Sequence, residues 1–135
     1  MQKKIQQGFT LIEIMVVVVI IGMLATLILP KVLGRQDEAF IAKAKSDIRA
    51  ISSSAKLYKL DNFKYPAALN DLVSGGSKGR GYLDKVPKDP WGKEYQYANP
   101  GSHLEFDVWS FGADGASGGA DVGQDIGNWN LDEIR

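Results

Sequence analysis

The C-terminal stretch 112–129 is rich in glycine and in oxygen-bearing side chains, namely Asp114, Asp121, Gln124, Asp125 and Asn128. Carboxylate, amide and backbone carbonyl oxygens are the hard ligands that calcium prefers. The spacing is not that of an EF-hand, which also needs a closing bidentate glutamate. These residue types by themselves are compatible with a calcium site or with a solvated acidic loop.

Glu13 is the one charged residue of the apolar run 9–29. A carboxylate in hydrocarbon costs about 2.5 kcal/mol or more, and it is by default a functional feature with a partner. The alternatives are a glutamate that reaches the headgroups and one that stays protonated. The residue alone does not decide between them.

Residues 75–79 match the G-x-S-x-G nucleophile pattern. They lack the preceding strand and following helix that make such a serine reactive. His103, the chain's single histidine, lies in a Pro-Gly-Ser turn and is predicted to be a surface residue. Because no nucleophile, base and orienting group fall at plausible positions, we expect no enzymatic activity.

The run 9–29 has 21 residues, and a helix of that length spans roughly 30 Å of hydrocarbon. Lys3 and Lys4 precede it, which predicts a cytoplasmic N-terminus and an exported head. The run is too long for a secretory signal peptide, and its small residue, Gly8, precedes it. Pro30 predicts a kink in a continuous helix, in preference to a helix end.

An amphipathic helix is predicted from residue 36 to residue 59, ending near Asn62. Its apolar stripe, with spacings of three and four, is Phe40, Ala44, Ile48, Ile51, Ala55 and Tyr58. The charged residues off the stripe are expected to face solvent or neighbouring subunits: Lys43, Lys45, Asp47, Arg49 and Lys56. A short helix is predicted around residues 67–72, before a variable loop that continues to residue 82.

Two alternating runs, 94–98 and 104–111, flank an Asn-Pro-Gly-Ser turn. They predict antiparallel strands. Packed on the helix, this sheet would form a thin core. The candidate core contacts are Tyr95, Tyr97, Phe106, Val108 and Trp109.

The string GFTLIE at positions 8–13 resembles the cleavage site of prepilin peptidase. The resemblance implies removal of a leader, residues 1–8, and methylation of the new N-terminal Phe9. It also implies a partner for Glu13, because the Phe9 amine of one subunit could pair with the Glu13 of a neighbour at low dielectric. That ion pair would set the register of a staggered array.

Four further strings resemble the major pseudopilins of bacterial type II secretion systems: YKLDNFKYP at 58–66, DPWGKEYQY at 89–97, and FGADG with DIGNW between 111 and 129. The resemblance implies an α+β, type IV pilin-like fold, with a long N-terminal helix on a small antiparallel sheet. The implied segments are the leader 1–8, a membrane helix 9–29, and a periplasmic head 30–135 comprising helix 30–60, variable loop 67–82, sheet 94–111 and calcium loop 111–129.

The resemblance also implies a structural calcium ion. The expected ligands are the carboxylates of Asp114 and Asp125, the carbonyls of Phe111 and Val122, and less directly Asp121. A metal there would supply the cross-link that a small head without cysteine lacks.

The implied function is polymerisation into a periplasmic filament that helps to export folded proteins. The implied partners are further copies of the chain, minor pseudopilins, prepilin peptidase, an inner-membrane assembly platform and the membrane. A type IV or competence pilin is the rival, although such pilins usually close their C-terminal region with a disulfide, and this chain has no cysteine. With 16 basic and 16 acidic residues, the chain lacks the basic field of nucleic-acid binders.

Overall fold

The computed structural model describes residues 7–75 and 79–134, except for the side chains of residues 28–33. The backbone forms two compact units, Met1–Gln36 and Asp37–Arg135. The head unit contains all secondary structure after the first helix.

A single helix, α1, runs from Leu11 to Asn62 and belongs to both units. Its end at Asn62 confirms the predicted stop. The described side chains of its N-terminal half are exposed. Within the described ranges, no helix combines the length and the apolar character that a membrane crossing requires. The helix continues through Pro30, which confirms the continuous helix predicted there, and the kink stays a prediction.

The second half of α1 buries the predicted apolar stripe in the head. Ile48, Ile51 and Ala55 are fully buried, and Tyr58 is nearly so. Their spacing places them on one face, which packs on the rest of the head. Phe40, at the start of the stripe, is only half-buried and contacts the ring of Trp91 edge-on at 5.9 Å.

Two of the charged residues expected to face solvent or neighbouring subunits are partly buried against the rest of the head instead. Asp47 is partly buried and accepts a hydrogen bond of 3.0 Å from the hydroxyl of Tyr95. The ammonium of Lys45 donates to the backbone carbonyl of Ile134. Both side chains flank the stripe closely enough to reach over its edge, and they tie α1 to the head.

The sheet has three antiparallel strands in the order β1-β2-β3: Gln96–Ala98, Asp107–Ser110 and Ile126–Gly127. The first two confirm the predicted hairpin, although both are shorter than predicted. The third lies inside the stretch that was predicted to be a calcium loop. A short helix, α2 (Asn70–Ser74), lies slightly later than predicted.

Most of the predicted core contacts are confirmed. Phe106 and Val108 are buried, and Tyr95 is buried beside them. The prediction for Trp109 is wrong, because neighbouring strand residues point to opposite faces of a sheet. With Val108 in the core, Trp109 lies half-exposed on the opposite face, against the rings of Phe111 and Trp129.

We expect Phe106→Ala to lower the free energy of unfolding by about 3–5 kcal/mol, since it removes a buried ring from a small core. Urea unfolding measures the change. Leu104→Ala is the matched control, because Leu104 lies two residues earlier and is 49% exposed, whereas Phe106 is 3% exposed. Equal losses in the two variants would contradict the assignment of the core.

Candidate functional site

The predicted processing site is exposed. Gly8 and Phe9 precede α1, and both are accessible to solvent. Thr10 and Glu13 form a reciprocal capping box: the backbone N–H of Thr10 donates to Glu13 Oε2 at 3.0 Å, and the N–H of Glu13 lies 3.4 Å from Thr10 Oγ1. Glu13 therefore caps the N-terminus of α1 in the described structure.

The loop between β2 and β3 carries the predicted metal ligands. Asp114 Oδ1 accepts a 3.0 Å hydrogen bond from the N–H of Ala116, and Asp125 Oδ2 accepts one of 2.9 Å from the N–H of Gly118. In return, the carbonyl of Gly118 accepts a hydrogen bond of 3.2 Å from the N–H of Asp125. Each carboxylate thus uses one of its oxygens to accept a hydrogen bond from the loop backbone.

The second oxygen of Asp125 is the feature that fits a cation. Oδ1 is buried and has no hydrogen-bond partner among the described residues, although an unsatisfied buried acceptor is costly. Asp121, by contrast, is exposed. No three His, Cys, Asp or Glu side chains of the described residues converge as a metal cluster, so a cation here would need backbone carbonyls as well.

Two backbone carbonyls of the loop lie close to Gly112, which has no side chain to exclude them. Gly112 has φ +71°, and a Cβ there would come within 2.9 Å of the carbonyl oxygen of Val122 and 2.7 Å of that of Gln124. Val122 also accepts a 2.8 Å bond from the N–H of Ala113. The loop therefore folds back on itself with its oxygens close to the backbone at residue 112.

Two asparagines that sequence analysis did not single out for this purpose close the loop. Asn128 accepts from the N–H of Val108 at 3.2 Å and donates to the carbonyl of Phe106 at 2.9 Å, so its amide continues the pairing of β2. Asn130 accepts from the N–H of Gly127 and donates to the carbonyl of Asp125. The two asparagines of the DIGNWN string were the available sequence signal for this role, since an asparagine amide can both donate to and accept from the backbone.

Asp107 organises the turn between β1 and β2. Its buried carboxylate accepts from the N–H groups of Ser102, His103 and Leu104 and contacts His103 Nδ1 at 3.0 Å. Burial by itself raises the pKa of Asp107, but these donors outweigh it and hold the pKa below its ordinary value. His103 is exposed, as predicted, and its ring also stacks on that of Trp129 at a centroid distance of 3.9 Å.

These groups give no catalytic arrangement in the described part of the head. The Asp107 oxygens are occupied by the turn, and Ser77 of the G-x-S-x-G match lies outside the described residues. A second buried carboxylate, Asp89, accepts from Ser110 Oγ at 2.6 Å and from the N–H groups of Trp91 and Lys93. Sequence analysis missed this role, which joins the DPWG turn to β2.

Family models match both parts of the chain. Residues 31–129 match the type II secretion system protein G family, and residues 3–29 match the prokaryotic N-terminal methylation motif. The first match spans most of the chain and includes the hairpin, the loop and the closing asparagines.

Characterised relatives agree with these matches. The type II secretion system core protein G of Pseudomonas aeruginosa is 50% identical, over 96% of this chain and 99% of its own length. That of Vibrio cholerae is 44% identical over 96% of each. The crystal structure of the major pseudopilin of enterohaemorrhagic Escherichia coli superimposes with a TM-score of 0.58 at 37% identity, covering 73% of this chain and 93% of that one.

The chain therefore belongs to the type II secretion system protein G family, the major pseudopilins. This confirms the resemblance drawn from its sequence strings.

We expect Asp107→Asn to destabilise the head by about 1–3 kcal/mol at pH 7, because the ionised acceptor of several N–H groups is lost. A carboxyl with a lowered folded pKa stabilises above its unfolded pKa, about 3.9, and this contribution disappears as the pH falls through the folded pKa. Urea unfolding at pH 7 and pH 3 should show a gap between wild type and variant that narrows at pH 3. Exposed Asp84→Asn is the control, and a gap independent of pH would contradict the role.

Proposed function

We propose that this pseudopilin is the structural subunit of a periplasmic pseudopilus that helps to export folded proteins across the outer membrane. Family membership carries this proposal: the matched relatives are secretion-system core proteins, and the match of residues 3–29 to the methylation motif supports processing of the N-terminus. Its activity is assembly with further copies and with minor pseudopilins, and it needs no catalytic group.

The N-terminal segment is proposed to anchor the subunit before assembly. Residues 9–29 carry a single charge and follow two lysines, which favours insertion in the inner membrane with the N-terminus in the cytoplasm. The exposed apolar side chains between Leu11 and Leu27 would pack against lipid first and against neighbouring subunits in the filament afterwards.

Glu13 is proposed to change partners on processing. In the described structure its carboxylate binds the N–H of Thr10. Cleavage by prepilin peptidase after Gly8 would create a charged amine on Phe9, and the Glu13 of a neighbour offers that amine an opposite charge. The exposure of Gly8 and Phe9 supports access of the peptidase.

A structural calcium ion is proposed for the loop 111–125. The observation that supports it is the buried Oδ1 of Asp125, which has no hydrogen-bond partner among the described residues and belongs to the same loop as the carbonyls that crowd Gly112. Asp114 and Asp125 would hold the ion with the carbonyls of Phe111 and Val122. When bound, calcium would neutralise these oxygens and cross-link the loop in the folded state.

Co-expression with a prepilin peptidase should shorten the chain by residues 1–8 and add one methyl group at Phe9. Intact-mass spectrometry of the membrane-extracted protein measures both changes. Gly8→Leu, with the same peptidase, should keep the full mass. A wild-type mass that does not respond to the peptidase would rule out processing at this site.

Calcium should raise the thermal unfolding midpoint of the wild-type protein, and chelation should reverse the rise. At a free calcium concentration about 100 times Kd, the stabilisation is about 2.7 kcal/mol. We expect Asp125→Ala and Asp114→Ala to abolish the calcium response, whereas exposed Glu133→Ala keeps it. Identical wild-type melting with calcium and with chelator would show that the loop holds no structural ion.

A further inference from the structure

The ligands expected for the calcium ion leave part of its coordination shell open. Asp114 and Asp125 each use one carboxylate oxygen in a hydrogen bond to the loop backbone, so each has one oxygen left for a cation. The carbonyl of Val122 already accepts a hydrogen bond from the N–H of Ala113. Two carboxylate oxygens and the carbonyls of Phe111 and Val122 are fewer than the about six to eight oxygens that calcium takes.

Gly119 lies where two oxygens of the loop converge. A Cβ at Gly119 would collide with the carbonyl oxygen of Gly123 and would lie 2.8 Å from Asp114 Oδ2. A Cβ at Gly123 would itself lie 3.0 Å from the same carboxylate oxygen. The second oxygen of Asp114 and the carbonyl of Gly123 therefore face one narrow space, which stays open because residue 119 has no side chain.

Neither of these two oxygens has a donor within the described ranges. Gly123 is buried, and its carbonyl accepts no hydrogen bond from the described residues. The hydrogen bond that Asp114 accepts goes to its other oxygen, Oδ1. A buried acceptor without a donor is costly, and two acceptors beside each other also repel. A cation that binds both oxygens would remove both costs.

The direction of the Gly123 carbonyl is fixed by the backbone around it. Asp121–Gly123 form a 3-10 turn, and the N–H of Gln124 donates to the carbonyl of Asp121 at 3.2 Å. That N–H belongs to the same planar peptide group as the Gly123 carbonyl. The hydrogen bond therefore also sets where the carbonyl oxygen lies.

Backbone conformation by itself does not explain the glycine at position 119. Gly118 and Gly119 have nearly the same left-handed φ, +89° and +87°, and both values favour glycine. A Cβ at Gly118, however, would meet no atom within 4 Å. Of these two neighbours, position 119 alone combines a left-handed backbone with a space that a side chain would fill.

We propose that the carbonyl of Gly123 is a further calcium ligand and that Gly119 is a positioning residue. The missing side chain at 119 lets this carbonyl and the carboxylate of Asp114 approach one ion. This inference rests on the proposed calcium site and specifies one of its ligands. A carbonyl adds an oxygen to the shell without adding a charge, as backbone ligands of calcium generally do.

The first test compares Gly119→Ala with Gly118→Ala in the full chain in detergent micelles. Both variants add one methyl group to a left-handed glycine, so both lose similar stability from the backbone. Gly119→Ala should raise the calcium Kd, measured by isothermal titration calorimetry, by about 10- to 100-fold, as the loss of a residue that supports a metal ligand typically does. Gly118→Ala should keep a Kd close to that of wild type.

The second test observes the carbonyl itself and needs no substitution. The pairs Gly-Gln and Gly-Asn each occur once in the chain, at 123–124 and 127–128. Labelling with carbonyl ¹³C in glycine and ¹⁵N in glutamine and asparagine therefore gives one NMR cross-peak for the carbonyl of Gly123 and one for that of Gly127. Calcium should move the Gly123 carbonyl resonance to higher frequency, because it polarises the C=O bond, and should leave the Gly127 resonance of β3 in place. Chelation should reverse the change.

The remaining outcomes separate the ligand from the ion. Wild-type protein that binds calcium while its Gly123 resonance stays in place would refute the ligand assignment, also if Gly119→Ala does not fold. Equal calcium Kd values for Gly119→Ala and Gly118→Ala would refute the positioning role. Wild-type protein without measurable calcium binding would refute the proposed calcium site, and this inference with it.

Discussion

Packing of the buried stripe of α1 against the sheet is the interaction on which the head depends. Ile48 and Ile51 on the helix and Val108 on β2 are fully buried, and no disulfide reinforces them because the chain lacks cysteine. A core this small leaves little surplus stability. Polar ties such as Asp47 to Tyr95 and Asp89 to Ser110 therefore matter more here than in a larger domain.

The C-terminal loop depends on the same sheet. β3 and the amide of Asn128 attach the end of the loop to β2, while Asp107 fixes the turn on the other side of that strand. The carboxylate of Asp125 is thereby held with one oxygen in the backbone network, while the other is buried and has no partner in the described part of the chain. A loop arranged in this way suits a cation that stabilises the folded state.

Assembly requires contact surfaces, and in the single chain such surfaces are left exposed. The apolar side chains of the N-terminal half of α1 are exposed, as are those of Leu57, Leu60 and Phe63 at its C-terminal end. Exposed apolar surface of this extent marks interaction sites. Glu13 caps its own helix in the described structure, and the proposed processing would give it a new amine as a partner. The head thus has a buried core of its own, whereas the exposed apolar side chains of α1 are left for contacts with other molecules.

The sequence by itself determined the family, the processing string, the amphipathic stripe and the hairpin, because each depends on local spacing and residue type. Tertiary structure decided which face of β2 holds Trp109, that Lys45 and Asp47 reach the head, and that Asn128 extends the sheet. It also decided that Phe63, directly after α1, is exposed and has a left-handed backbone conformation with φ +61°. These depend on register and on contacts between residues far apart in the chain, such as Asn128 with Val108, which no local pattern encodes.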